Sequence, residues 1–225
     1  MKRLHCFGLK CCGVLFGCML LAACTTSPQI LPEAPPGAQI EKDWKNLIDS
    51  FVLIHDFNVA DYTKIAVARL DTSATPLPPK DENTYKPTYL VLKASSDIFL
   101  MGMKGAFMDA KYPIEPVPLE GMGKTEGKVL VIRGKVTEMN PGSRALRYWV
   151  SFGAGQSRVE ISGEVADAES NAVLARFVHA RSSGIGTWGG DYEKFLTDDT
   201  RDVGEDVGKM LLLFDKSRVL SAPTR

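Results

Sequence analysis

The sequence predicts an α+β fold, an α/β sandwich in which helices pack on one face of a mostly antiparallel sheet. Three segments in the second half alternate between apolar and polar residues, which is the period of half-buried strands. Two longer segments, before and after those strands, repeat apolar residues every three or four positions, which is the period of helices. A sheet with one apolar face needs a helical layer to cover it, so the two observations lead to one architecture.

The first residues have the organisation of a bacterial export signal. Lys2, Arg3 and Lys10 give a positive start, and residues 11–23 are apolar and uncharged. That stretch suits the core of a signal peptide and is shorter than the roughly 20 residues that a membrane-spanning helix needs. We therefore predict that residues 1–23 are a signal peptide that is removed from the mature protein.

The apolar stretch ends in a lipobox, Leu21-Ala22-Ala23-Cys24. The small residues before the cysteine let the chain lie extended in a signal peptidase, and the thiol accepts a diacylglyceryl group. We predict that Cys24 becomes the first mature residue, carries palmitate-type acyl chains and binds the lipid bilayer through them. The other four cysteines leave with the signal peptide, so the mature chain has no disulfide and no free thiol.

The residues after the lipobox predict location and domain organisation. Thr25 stands where an aspartate commonly retains lipoproteins at the inner membrane, so we expect the outer membrane, with the protein facing the periplasm. Residues 24–37 are rich in proline, which keeps a chain extended, and are predicted as a tether. Residues 38–225 are long enough for one globular domain.

The charge balance argues against nucleic acid as a partner. Loss of Lys2, Arg3 and Lys10 lowers the number of basic residues from 27 to 24 against 27 acidic ones, which leaves a mature net charge of −3. Nucleic-acid-binding domains are typically basic. With 44% hydrophobic residues, the chain has enough apolar side chains to build a core.

The first half of the domain contains several predicted elements. Residues 40–48 are predicted as a short entry helix, residues 51–57 and 64–70 as strands, and the proline-rich residues 71–87 as a loop. Residues 88–110 are predicted as an amphipathic helix. The apolar positions that we expect to face the core are Val91, Ala94, Ile98, Met101, Gly105 and Met108.

The second half is predicted as strands followed by a helix. Residues 128–138, 158–168 and 173–181 alternate as strands, and the last two form a hairpin through the turn at residues 167–172. A closing helix is predicted over residues 198–219, capped by Thr197 or Asp198. Gly204 and Gly208 lie one turn apart, so this helix can approach a neighbour closely. We expect that neighbour to be the sheet, with an oligomer contact as the alternative.

From Val129 onward the chain carries the segment VLVIRGKVTEMNPG, then Arg144 and Arg147, then residues 152–177 (FGAGQSRVEISGEVADAESNAVLARF), then the late glycines and the closing helix. In these segments it resembles a family of uncharacterised bacterial lipoproteins known as domain of unknown function 4410. It implies an exported lipoprotein of unknown molecular function. It brings no catalytic residues with it.

Two segments imitate functional motifs but lack a required residue, and the two histidines lack the spacing of a metal site. Residues 121–125 (GMGKT) look like the end of a phosphate-binding loop, but Pro118 stands where its first glycine belongs. Residues 155–159 (GQSRV) look like a hydrolase elbow, but Val159 replaces its second glycine. His55 and His179 are far apart, without metal-ligand spacing. We therefore expect that the protein binds no metal and no cofactor and is not an enzyme.

The sequence leaves two functions open. The first is a non-enzymatic protein that binds or scaffolds another envelope component, either an envelope protein or further copies of itself. The alternative is a periplasmic ligand-binding module, or an unrecognised hydrolase, that uses glycine-rich loops. The candidate loop residues are Gly153, Gly155, Ser157, Trp188 and Tyr192.

Overall fold

The computed structural model describes residues 32–120, 122, 127–142, 156–183 and 191–219. Within them, seven strands form one sheet with the order β1-β2-β7-β6-β5-β3-β4. All neighbours pair antiparallel except β3, which pairs parallel with β4 and β5. The strands are β1 (Glu41–Trp44), β2 (Ile48–Leu53), β3 (Lys64–Val67), β4 (Pro116–Pro118), β5 (Val129–Asn140), β6 (Arg158–Asp167) and β7 (Val173–Arg181).

Two long helices cover one face of this sheet. They are α1 (Tyr85–Asp109) and α2 (Tyr192–Leu212), and a short helix α3 (Lys216–Val219) follows. The two long helices pack on each other, and α2 also lies against β6, β7 and β2. The main core lies between these helices and the sheet, with Phe51, Phe99, Phe107 and Phe177 among its largest fully buried side chains. The predicted α+β class, with helices on one face of a mostly antiparallel sheet, is confirmed.

The hairpin of β6 and β7 follows directly from the sequence pattern. Val159, Ile161 and Val165 alternate along β6 and are fully buried in the main core. The turn closes because the carboxylate of Asp167 accepts hydrogen bonds from the backbone N–H groups of Glu169 and Ser170. The alternation and the turn residues therefore point to the same structure, and the predicted hairpin is confirmed.

The predicted entry helix at residues 40–48 is wrong, because the chain forms the β1–β2 hairpin there. Trp44 and Ile48 are four residues apart, which matches a helical turn, but they pair directly across the hairpin and both are buried. Asp43, Lys45 and Asn46 adopt positive φ angles of 48°, 53° and 55°, which turn the chain back on itself. The following strand is β2, which begins at Ile48 and ends at Leu53, earlier than predicted.

Helix α1 occupies nearly the predicted residues, but much of the apolar face expected in the core points outward. It begins at Tyr85, so Pro87 lies in its first turn, where a missing N–H costs nothing. Met101 and Met108 remain 64% and 74% exposed. Of the six predicted core positions only Val91 is buried; the face that packs inward carries Val91, Ser95, Phe99, Gly102, Met103 and Ala106.

Helix α2 begins earlier and ends earlier than predicted. Its N-cap is Asp191, whose carboxylate accepts hydrogen bonds from the N–H groups of Glu193 and Lys194, so Thr197 and Asp198 lie inside the helix. The predicted close approach at Gly204 and Gly208 is present, but the neighbour is α1 and not the sheet. A Cβ atom added at Gly204 would overlap the carbonyl oxygen of Phe99.

The described end of the predicted tether touches the domain. Pro32 is buried, and the guanidinium of Arg176 on β7 donates a hydrogen bond of 2.6 Å to the carbonyl oxygen of Glu33. Arg176 alternates with the core residue Phe177, so it lies on the sheet face opposite the helices. The chain therefore reaches the domain on the face that carries no helices.

Candidate functional site

Polar side chains form a seam between α2 and one end of the sheet, and four of them, Ser157, His179, Asp199 and Asp206, are buried. The polar seam comprises Asp49, Ser157, His179, Arg181, Ser183, Asp199 and Asp206. Strand register brings the sheet residues together, because Ile161 pairs with His179 and Val159 pairs with Arg181, so Ser157 and Ser183 lie one step further out. Asp199 and Asp206 are two turns apart on α2, so both carboxylates face the sheet.

The inner half of the polar seam is an ionic cluster around His179. Its Nε2 lies 2.9 Å from Oδ2 of Asp206, which also accepts a hydrogen bond of 2.6 Å from Nε of Arg181. On the other side, Nδ1 of His179 lies 3.6 Å from Oδ2 of Asp49, and that oxygen accepts a hydrogen bond from the N–H of Ala180. His179 therefore stands between a carboxylate of β2 and a carboxylate of α2.

The outer half of the polar seam is organised by Asp199. Its two carboxylate oxygens accept hydrogen bonds from the hydroxyl groups of Ser157 at 2.7 Å and Ser183 at 2.6 Å. Ser157 and Asp199 are buried. Ser157 follows the glycine-containing residues 152–155, and Ser183 directly precedes the glycine-containing residues 184–190. Asp199 therefore holds the chain after the first of these segments and before the second.

The pKa values of the seam residues shift in opposite directions. Burial raises the pKa of Asp199, and the two serine hydrogen bonds only partly oppose that effect. Burial would also raise the pKa of Asp206, but hydrogen bonds and charge from His179 and Arg181 outweigh it and lower the pKa. For His179, burial acts to lower the pKa, and the two carboxylates outweigh it and raise it. His179 and Asp206 thus stabilise each other as charged groups.

The polar seam lacks the geometry of a nucleophile and its base. Ser157 bonds to Asp199, whereas His179 bonds to Asp206. Ser157 lies four residues along the chain from Ile161, the residue that pairs with His179, which is a separation of about 13 Å at the rise of a strand. A base must lie within hydrogen-bonding distance of the proton that it takes, so these two residues do not form a serine–histidine pair.

The predicted loop residues are only partly within the described structure. Gly153, Gly155 and Trp188 lie outside the described residues. Ser157 and Tyr192 are described, and both are buried, so neither presents its side chain on an exposed surface. Binding by the glycine-rich loops stays a prediction.

Sequence reasoning missed the residues that build the polar seam. The sequence places His179 in the predicted strand 173–181 and Asp199 and Asp206 in the predicted closing helix, but it does not predict that these side chains meet. The available signal was the position of Asp199 and Asp206, which share a helical face with Val203, Val207 and Met210. A carboxylate within an apolar stripe must find a partner when it is buried.

Two further features are a cluster of ion pairs on the sheet face opposite the helices and a groove at the edge of the sheet. On the sheet face opposite the helices, Arg158 bonds to Glu138 and Glu160, and Glu160 also accepts from Thr137. At the β4 edge, an open groove of about 500 Å³ is lined by Thr63, Lys64, Pro113, Ile114, Glu115, Val117, Pro118, Glu120 and Met122.

No helix in the described part of the chain is long and apolar enough to cross a membrane.

Comparison with protein families confirms the resemblance. Residues 119–187 match the model of the domain of unknown function DUF4410. The match contains β5, β6 and β7 and ends before α2, so the closing helix lies beyond it. No curated protein matches the sequence.

Several solved structures are similar to this chain. A PelC dodecamer from Paraburkholderia phytofirmans is 13% identical with a TM-score of 0.41, and the match covers 70% of this chain and 95% of that one. A Xanthomonas campestris protein of domain of unknown function 330 is 12% identical with a TM-score of 0.39, covering 75% and 95%. A Caulobacter crescentus protein named as a candidate lipoprotein is 11% identical with a TM-score of 0.34, covering 67% and 93%. Similarity at this level carries no argument about function.

Proposed function

We propose that this protein is a lipid-anchored component of the bacterial envelope, at the outer membrane and facing the periplasm. Its domain binds or scaffolds another envelope component and catalyses no reaction. The observation that carries the proposal is the lipobox Leu21-Ala22-Ala23-Cys24 at the end of an uncharged apolar segment. The charge, length and terminal residues of that segment all match a lipoprotein signal.

The path of the chain after Cys24 supports a role close to the membrane. The residues between Cys24 and Pro32 span at most about 30 Å when fully extended. Pro32 is buried and Glu33 is held by Arg176, so the following residues add little to that reach. The domain therefore stays near the bilayer, where its partners are other envelope components.

The polar seam supports a non-enzymatic role. Its serine and histidine side chains are bonded to different carboxylates and are too far apart for general-base catalysis. Their hydrogen bonds join α2 to the strands, which is a structural role.

A ligand-binding module is the second candidate. The observation that favours it is the pair of hydrogen bonds from Ser157 and Ser183 to Asp199, because they bring the chain after the first glycine-containing segment and the chain before the second to the same carboxylate. Loops that are fixed at a shared base and rich in glycine let backbone amides approach a small molecule.

The test is a pull-down from chemically crosslinked envelopes, followed by mass spectrometry, with wild-type protein and the Cys24→Ala variant side by side. Cys24 precedes the described domain in the sequence, so the variant is designed to change attachment and not the domain. We expect a partner that is crosslinked to the wild type and not to Cys24→Ala. Equal recovery of the same partner by both forms would contradict the dependence on anchoring. The absence of a partner with either form would favour the ligand-binding candidate.

A further inference from the structure

Helix α1 carries an apolar stripe on the face that points away from the core. The outer stripe comprises Leu90, Ala94, Met101, Gly105 and Met108, which lie within about 60° of one another at 100° per residue. Leu90, Met101 and Met108 are 43%, 64% and 74% exposed, and nothing lies within 4 Å of a Cβ atom added at Gly105. An exposed stripe of this length is unusual unless another molecule covers it.

The sizes of the residues in the outer stripe make it complementary to a second, antiparallel copy of itself. Ala94, Met101 and Met108 are spaced by seven residues, which is two helical turns. If a twofold axis passes beside Met101, the large Met108 of one copy lies opposite the small Ala94 of the other. The two Met101 side chains then meet at the axis, with the space above Gly105 beside them.

The charges beside the outer stripe are complementary in the same arrangement. Asp97 and Lys104 lie on the same rim, on either side of Met101. A twofold axis that reverses the helix direction keeps each rim on its own side, so Asp97 of each copy approaches Lys104 of the other. In the single chain, Lys104 lies 2.8 Å from Glu115, which is 61% exposed, and this surface ion pair leaves room for a second carboxylate.

We propose that the outer stripe of α1 is the interface of an antiparallel homodimer with its twofold axis at Met101. The bilayer is the less favoured occupant, because Arg176 holds Glu33, and with it the chain leading to Cys24, on the opposite face of the sheet. This inference deepens the proposed function by naming a second copy of this chain as one partner of the anchored domain.

The test uses disulfide formation in the full-length lipidated protein in its own envelope. The mature wild type has no cysteine except Cys24, whose sulfur is used by the lipid, so a cysteine introduced on α1 reports only its own surroundings. Met101→Cys is expected to form a covalent dimer on mild oxidation. The matched control is Met108→Cys, because two such residues would stand about 20 Å apart along the helices and form no dimer with each other.

A mixed sample tests the register. Differently tagged chains of Ala94→Cys and Met108→Cys, expressed together, are expected to link to each other and not to themselves. Efficient linking of Met108→Cys to itself would indicate parallel helices and overturn the proposal, as would the absence of any linked Met101→Cys. A covalent dimer of the wild type would instead show that Cys24 has a free thiol. That result would contradict the proposed anchor, and it would be distinguishable from linking through α1 because the wild type has no cysteine on α1.

A second measurement does not depend on disulfide chemistry. Met101→Lys places two ammonium groups at the twofold axis, so we expect the dimer of the detergent-solubilised protein to become a monomer by sedimentation. Leu213→Lys is the control, because Leu213 is 46% exposed and lies outside α1. A dimer that survives Met101→Lys, or a wild type that is monomeric at every concentration, would overturn the proposal.

Discussion

Single residues of the polar seam show how a buried charge is made tolerable. Asp206 and His179 are both nearly inaccessible, and a lone charge in such a place would be very costly. Their 2.9 Å contact, together with Arg181 and Asp49, supplies the compensating charge. Among the described residues, Asp199 has two hydroxyl donors and no cation as hydrogen-bond partners, and burial moves its pKa upward while the pKa of Asp206 moves downward.

The stability of the domain should depend on the charge of His179. Its pKa is raised in the folded state, so its contribution is complete below the unfolded-state pKa of about 6.5 and is lost as the pH rises through the folded-state pKa. We expect the free energy of unfolding to fall by about 1.4 kcal/mol for each unit by which the pKa is raised. Urea unfolding between pH 6 and 9 measures this. His179→Gln should remove the decrease in unfolding free energy with pH, whereas the exposed control His55→Gln should keep it. Equal pH dependence of the unfolding free energy in all three proteins would refute the role given to His179.

Asp199 should matter more for stability than its neighbour Asp198. Asp199→Ala leaves the hydroxyl groups of Ser157 and Ser183 without their acceptor inside the protein, which should cost about 2 kcal/mol or more. Asp198→Ala removes surface ion pairs to Lys194 and Arg201, which should cost less than about 1 kcal/mol. Denaturant unfolding of both variants gives the comparison, and similar losses would mean that the outer half of the polar seam contributes nothing special.

Whole elements show where sequence patterns suffice and where they mislead. Strands β5, β6 and β7 were predictable because the alternation of apolar residues and the turn residues indicate the same strands, although parts of both faces of these strands are buried. The β1–β2 hairpin was not, because the spacing of Trp44 and Ile48 fits a helical turn as well as a cross-strand pair, and the turn uses positive φ at residues other than glycine. In α1 both faces are partly apolar. The spacing of apolar residues therefore predicted the helix correctly but did not identify the face that packs on the core.

The packing of the two long helices depends on glycine in α2. Gly204→Ala would force a methyl group into the carbonyl of Phe99, a backbone atom that cannot move aside cheaply, so we expect a loss of about 3 kcal/mol. Lys93→Ala on α1 is the control, because Lys93 is exposed, lies outside the outer stripe and is replaced by the residue that favours a helix most. Thermal or urea unfolding separates the two variants. A harmless Gly204→Ala would mean that the helices lie further apart than described.

At the scale of the whole molecule, the proposed attachment and the proposed dimer interface lie on different faces. Arg176 binds the chain that leads to Cys24 on the open face of the sheet, and the outer stripe of α1 lies on the far side of the helical layer. The proposed anchor rests on the sequence alone, because a lipobox is a local signal. The polar seam and the outer stripe were not readable from the sequence, because both depend on which residues distant in sequence come together.

The most direct test of this account is the mass of the N-terminal peptide of the protein purified from its own membranes. The account predicts a peptide that begins at Cys24, carries a diacylglyceryl group and an additional acyl chain, and is recovered in the outer-membrane fraction. A mature chain that begins at any other residue, or an unmodified Cys24 in a protein released without detergent, would contradict it.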